Sequence, residues 1–293
     1  MTDSALLPAA VRIAFERIVD YAGLFPPAQL GMAEAAAEYE RARSGREGWM
    51  LGRFILPVAR TTELESALEG GTRVPLAVLL DGETAIASTP RTQPESCEIP
   101  LSIENEVGAA RAAIRTVHTG LAALAANLPV AIEIPSNLNA AVLAEAMDTL
   151  AERGLSAKLR CGGVSAQAVP EVESVAAFVR AAVHAGVAFK VTAGLHHPVR
   201  RYNEAAGFVM HGFLNVLAAS CFARDCDAAT LVRVIEEEDA TAFTFNSRGF
   251  AWRGLVAIED VLREARTRRM LSFGSCSFAE PVDGLVALGI LRT

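Results

Sequence analysis

Ala157-Lys158-Leu159-Arg160-Cys161-Gly162-Gly163 and Phe189-Lys190-Val191-Thr192-Ala193-Gly194 decide how this chain is read. In each, apolar residues alternate with polar ones, the period of a strand with one buried face. Between them lies Pro170–His184, a helical stretch with proline suited to its first position. Strand, helix and strand at this spacing make a parallel crossover unit.

The unit recurs along the chain. Strands are expected at Ile18–Gly23, Arg53–Ala59, Pro75–Leu80, Cys97–Glu104, Pro129–Ile134, Ser156–Cys161 and Val187–Ala193. Helices are expected at Ser4–Glu16, Met32–Arg43, Thr61–Leu68, Val107–Thr119, Leu138–Arg153, Pro170–His184 and Ala205–Phe222. Polar Ser88–Ser96 reads as a loop. A hairpin is expected where Asn246-Ser247-Arg248-Gly249 separates two aromatic runs, followed by a helix at Leu255–Arg268. The last strand is 271–278 or, alternatively, 243–245. The expectation is an α/β protein, one (β/α)8 barrel of TIM type with a C-terminal hairpin insertion, forming a single domain over 1–293.

Bulk properties exclude several functions. Net charge is −7, the pI is near 5.4, and no basic stripe exists to meet nucleic acid. Mean hydropathy is high at +0.29, yet no apolar run approaches the roughly 20 residues of a membrane helix. Five cysteines without CxxC spacing read as reduced thiols, and no basic region precedes Ala5–Ala14 as in a signal peptide. A cytoplasmic location follows as the expectation, with homo-oligomer assembly left open.

Lys158 and Lys190 are the only lysines among 27 basic residues. Arginine cannot lose its proton near neutral pH, whereas a lysine can. Alternation assigns Ile99, Leu101 and Ile103, then Val130, Ile132 and Ile134, then Ala157, Leu159 and Cys161, then Phe189, Val191 and Ala193 to the helix-facing side. The inward row is then Glu104, Glu133, Lys158, Arg160, Lys190 and Thr192. With neighbouring strands about 4.8 Å apart, Glu133, Lys158 and Lys190 fall in one pocket. So many buried charges are costly as pure structure. The reading is an enzyme acting on a small carbonyl or carboxylate compound. Lys158 is its amine nucleophile, each lysine lowers the other's pKa, and Glu133 or Glu104 moves protons.

The segment from Ala157 to His197 resembles the late strands of deoxyribose-phosphate aldolase, a class I aldolase on the same barrel. That family has a Schiff-base lysine on its sixth strand in Lys-Thr-Ser-Thr-Gly and a second lysine on the next strand in Lys-Ala-x-Gly-Gly. The resemblance implies that Lys158 is the Schiff-base lysine, Lys190 its helper, and that no cofactor is needed. Arg160-Cys161-Gly162-Gly163 and His196-His197-Pro198 depart from the family's pattern, and its aspartate would be replaced by Glu104 or Glu133. Asp-Tyr-Ala-Gly-Leu-Phe-Pro-Pro, Thr-Ala-Gly-Leu-His-His-Pro and Phe-Gly-Ser-Cys-Ser-Phe also resemble segments of uncharacterised bacterial barrel proteins.

Substrate contacts are expected from Arg160, Gly162, Gly163, Thr192, His196, His197 and Asp20. Arg160 and the two glycines suit an anion ahead of a helix. The alternative chemistry is a metal-dependent lyase, hydrolase or isomerase, with Zn or Mn on His196, His197 and His211. A barrel that only binds a small anion is the third reading.

Overall fold

The computed structural model describes residues 7–71, 73–80, 86, 88–124 and 128–292. In chain order the elements are α1 (Ala9–Phe15), β1 (Val19–Tyr21), α2 (Met32–Ser44), β2 (Leu51–Pro57), α3 (Thr61–Ala67), β3 (Val74–Leu79) and β4 (Thr92–Pro100). There follow α4 (Ala109–Leu124), β5 (Val130–Glu133), α5 (Ala140–Arg153), β6 (Ser156–Arg160), α6 (Val172–Ala185) and β7 (Phe189–Thr192). A hairpin of β8 (Arg201–Asn203) and β9 (Phe208–Met210) leads to α7 (Phe213–Phe222) and α8 (Ala228–Glu236). The chain ends with β10 (Phe243–Asn246), β11 (Gly249–Trp252), β12 (Leu255–Ala257), α9 (Glu259–Glu264), β13 (Met270–Ser275) and α10 (Ala279–Ala287).

Eight parallel strands close a barrel in the order β1-β13-β7-β6-β5-β4-β3-β2. The last staff is therefore β13, while the 243–245 alternative becomes β10 of a separate antiparallel sheet, β10-β11-β12. This is the expected α/β barrel with its C-terminal hairpin, enlarged by a third strand.

Two crossovers place the lysines. Asn139 caps α5 by accepting from the backbone N–H groups of Ala141 and Val142. Gly154 (φ 65°) ends α5 and Gly186 (φ 70°) ends α6 in the left-handed conformation that glycine adopts at little cost. The chain then turns directly into β6 and β7. On α5 the stripe Val142, Ala146, Met147 and Leu150 is buried, and on α6 Val175, Phe178, Val179, Ala182 and Val183 are buried. These faces cover Ala157, Leu159, Phe189 and Val191, with Phe178 edge-on to Phe189 at 5.6 Å. Polar residues of β6 and β7 are left to face the barrel axis, with Lys158 directly opposite Lys190 in register.

Several sequence expectations need correction. The first helix begins at Ala9, and residues 4–6 lie outside the described residues. β4 starts at Thr92, inside the stretch read as a loop. Its polar Glu95 is tolerated because it accepts from Arg17 (2.7 Å) and meets Arg53 (3.2 Å) at the barrel's N-terminal end. The same strand stops at Pro100, so Leu101 to Glu104 are not strand residues. The helix expected over Ala205–Phe222 starts only at Phe213. Ahead of it the β8–β9 hairpin turns through Gly207 at φ 79°.

Candidate functional site

A standard barrel interior is filled by layers of branched apolar side chains. Here the apolar part is an island of Ala22, Ile55 and Ala77 with Phe25 and Leu79, separate from the main core. Beside it the interior holds the charged Asp20, Glu98, Lys158 and Lys190 with Ser272.

Glu98, on β4, is the hub. Its Oε1 accepts from Lys190 Nζ at 2.5 Å, and its Oε2 lies 2.7 Å from Lys158 Nζ. Lys158 also lies 2.9 Å from Glu133 Oε2, at the end of the adjacent β5. Lys190 donates to Asp20 Oδ2 at 2.6 Å, an oxygen that also accepts from Ser272 Oγ at 2.6 Å. Asp20 Oδ1 accepts from the backbone N–H of Arg53 at 2.9 Å, and the Arg53 guanidinium lies 3.7 Å away. Glu133, Lys158, Glu98, Lys190 and Asp20 thus form one alternating ladder of charge across the barrel.

The two amines are held differently. Lys190 makes directed hydrogen bonds to both of its carboxylates. The contacts of Lys158 are ion pairs whose angles miss hydrogen-bond geometry, and Glu98 Oε2 has no hydrogen-bond donor at all. Burial opposes charge on Lys190, but Asp20 and Glu98 outweigh it and hold its pKa above the usual lysine value. Mutual lowering by the two lysines, expected from the sequence, fails for Lys190 because the carboxylates between them were not foreseen. Burial likewise opposes charge on Asp20 and Glu98. Lys190 outweighs it at both, helped by Arg53 at Asp20 and Lys158 at Glu98, so both carboxyls stay below their ordinary range.

Of the two equally buried amines, Lys158 lines a cavity. A cavity of about 370 Å³ lies over the C-terminal ends of the strands. Lys158 and Glu98 line it, together with Arg160, Thr192, Gly163, His196 and Cys276. Phe25, Pro26 and Pro27 of the loop after β1 form its far wall with Ala22, Ile55 and Leu79. Gly274 on β13 is required by crowding, since a Cβ there would sit 2.6 Å from Thr192 Oγ1. Gly162 is buried against Gly194, where a Cβ would approach the Gly194 Cα to 3.0 Å. Ala193, on the cavity wall, holds a left-handed φ of 60°, a strained backbone of the kind found at functional sites.

The structure brings together Lys158, Lys190, Glu133, Arg160, Thr192, Gly162, Gly163 and His196. It does not bring in Glu104, which is exposed in the loop beyond the end of β4. Asp20 is fully buried beneath Lys190 and holds that amine, so it does not reach a ligand in the cavity. His197 turns away to Asn203 Nδ2 at 3.0 Å, and His211 turns to the Pro170 carbonyl at 2.8 Å. His196 Nδ1 meets Glu280 Oε2 at 2.6 Å. The expected three-histidine metal set is therefore dispersed, and no group of three metal-ligating side chains gathers among the described residues. Burial pushes the Cys276 thiol up to about 11, away from the thiolate a cysteine nucleophile needs.

Glu98, Arg53 and Ser272 were missed. Glu98 has the inward parity on its strand, and Arg53 is the lone charge in an apolar strand, which was the available signal.

Fold and site together define a closed parallel (β/α)8 barrel with a lysine–carboxylate cluster beneath its C-terminal cavity. The chain is similar to the solved structure of the tetrameric deoxyribose phosphate aldolase from Aeropyrum pernix, at TM-score 0.50 and 10% identity, over 94% of this chain and 93% of that one. At that identity the likeness speaks for the fold alone. No family model and no curated protein matches the chain. No helix of the described residues is long and apolar enough to cross a membrane.

Proposed function

We propose that this chain is a lyase of the class I aldolase kind, with Lys158 as its Schiff-base lysine. The observation that carries the reading is the position of Lys158 Nζ on the cavity floor, between Glu98 at 2.7 Å and Glu133 at 2.9 Å. The ammonium gives one proton to a carboxylate, and the neutral amine attacks the carbonyl carbon of the substrate. Nitrogen loses its second proton as the carbonyl oxygen gains one, giving a carbinolamine. The returned proton lets the hydroxyl leave as water and forms the iminium. The iminium draws electrons from the bond between its α and β carbons as the β-hydroxyl gives its proton to a carboxylate. The bond breaks to an aldehyde and an enamine, which is protonated and hydrolysed to free the amine, and the aldol direction runs in reverse. Lys190 acts through Glu98, keeping that carboxylate ionised and oriented.

A fold-level likeness to a tetrameric aldolase is consistent with this reading and with assembly into a homo-oligomer. A cytoplasmic setting remains the expectation from the five unpaired cysteines.

The test is borohydride reduction during incubation with a panel of aldehydes and 2-oxo acids, followed by peptide mass analysis. A mass increment on Lys158 alone is expected. An increment on Lys190, or none from any carbonyl, contradicts the reading. The second reading, a barrel that only binds an anion, is favoured by Arg160, a cation that lines the cavity with no ion-pair partner among the described residues. It gains if ligand binding depends on Lys158 while trapping fails.

A further inference from the structure

The cavity above Lys158 is chemically one-sided. Ala22, Phe25, Ile55 and Leu79 supply an apolar wall. Opposite stands Arg160, exposed at the mouth and without an ion-pair or hydrogen-bond partner among the described residues. The charge of Lys158 is already met by two carboxylates, and His196 is bound to Glu280. Arg160 is therefore the one uncommitted cation lining the cavity. It lies two residues past Lys158 on the same strand face, roughly 7 Å further toward the mouth.

Barrel enzymes frequently hold a phosphate between the loops after the seventh and eighth strands and the helix N-terminus beside them. In this chain that place carries a carboxylate of its own. Glu280, in the first turn of α10, is joined to His196 in the loop after β7 at 2.6 Å. Its backbone N–H donates to Ser277 Oγ at 3.2 Å. The bond to His196 holds the exposed Glu280 carboxyl below its ordinary range, so an ionised carboxylate stands beside the start of α10 and repels a phosphate dianion there.

We propose that the cavity selects a non-phosphorylated oxo acid with an apolar substituent. Its carbonyl carbon meets Lys158, its carboxylate pairs with Arg160, and its substituent lies on the Phe25–Ile55–Leu79 wall. The proposal rests on the Schiff-base reading of Lys158, and its test keeps the two apart.

Full-length protein is trapped with borohydride in the presence of 4-methyl-2-oxopentanoate, of 4-methylpentan-2-one, which keeps the apolar chain but lacks the carboxylate, and of glyceraldehyde 3-phosphate. At limiting concentration the oxo acid is expected to label Lys158 at least about tenfold more than the ketone, the scale of one charge-assisted Arg–carboxylate contact. In Arg160→Gln the ratio of the two is expected to fall about tenfold. An unchanged ratio, or phosphorylated aldehyde outcompeting the oxo acid, overturns the proposal. If no carbonyl labels Lys158, the Schiff-base reading falls alone. Calorimetry with 4-methylpentanoate then decides the inference, which stands if binding is present and is lost in Arg160→Gln, and fails otherwise. A further arm uses Glu280→Ser, in which inorganic phosphate is expected to compete with the oxo acid at concentrations without effect on the parent. Competition that is equal in both proteins overturns the proposal.

Discussion

Lys158 and Lys190 sit opposite each other in register on adjacent strands, are almost equally buried, and share Glu98, yet they occupy different chemical situations. Lys190 is clamped by two hydrogen-bonded carboxylates. Lys158 is held by charge contacts of poorer geometry and faces about 370 Å³ of space. Adjacent strands thus carry one amine fixed by directed hydrogen bonds and one held by ion pairs at the edge of a cavity. Buried ion pairs are poor evidence of stability in themselves. Their asymmetry tells more, because a purely structural ladder has no reason to leave one end loose against a cavity.

The sharpest way to break this contrast is to remove each amine in turn. In Lys158→Met, labelling by carbonyl and borohydride is expected to fall to background, while Lys190 still neutralises Glu98 and limits the stability loss to about 1–3 kcal/mol in denaturant titrations. Lys190→Met leaves Asp20 and Glu98 short of their main countercharge in the interior. It is expected to cost about 3–5 kcal/mol of stability while Lys158 still labels. Equal losses of stability in the two variants would erase the distinction between the sites.

A smaller effect sharpens it through pH. Asp20 and Glu98 have depressed pKa values in the folded chain, so the stability they contribute is present above their unfolded values, about 3.9 and 4.3, and is lost as pH falls through the folded ones. Lys190 has a raised value, so its contribution is present below about 10.4 and is lost as pH rises through the folded one. In Lys190→Met burial is no longer outweighed, so Asp20 and Glu98 take up protons at higher pH than in the parent. The stability gap between the two proteins should therefore narrow steadily as pH falls, and narrow again above about pH 10.4. Unfolding curves across that range check it, and a gap that widens in acid would contradict the ladder.

The parts of this site visible in the sequence were those fixed by local alternation. Lys158, Lys190 and Glu133 each interrupt an apolar row at the strand period, so their inward direction follows from the backbone alone. Glu98 shares that parity, but its place in the site is not evident locally. Its strand begins among Thr92, Gln93 and Glu95, polar residues whose partners Arg17 and Arg53 lie far away in sequence. Pairing of that kind is not written in any local window. Glu104 has the same parity, but Pro100, lacking a backbone N–H, ends the strand before it. The histidines failed for the same reason, since the partners of His197 and His211 are set by the β8–β9 hairpin and the start of α6. The raised pKa of Lys190 is likewise set by Asp20 and Glu98, carboxylates contributed by distant strands.

Having only two lysines makes a direct measurement possible. Protein labelled with ¹⁵N and ¹³C in lysine gives two ammonium signals, assigned by their absence from Lys158→Met and Lys190→Met. On incubation with a reactive carbonyl and cyanoborohydride, the Lys158 signal is expected to disappear into that of a secondary amine, while the Lys190 signal persists and stays protonated across the neutral range. Loss of the Lys190 signal first, or modification of both at equal rates, would contradict the assignment of Lys158 as the reacting amine.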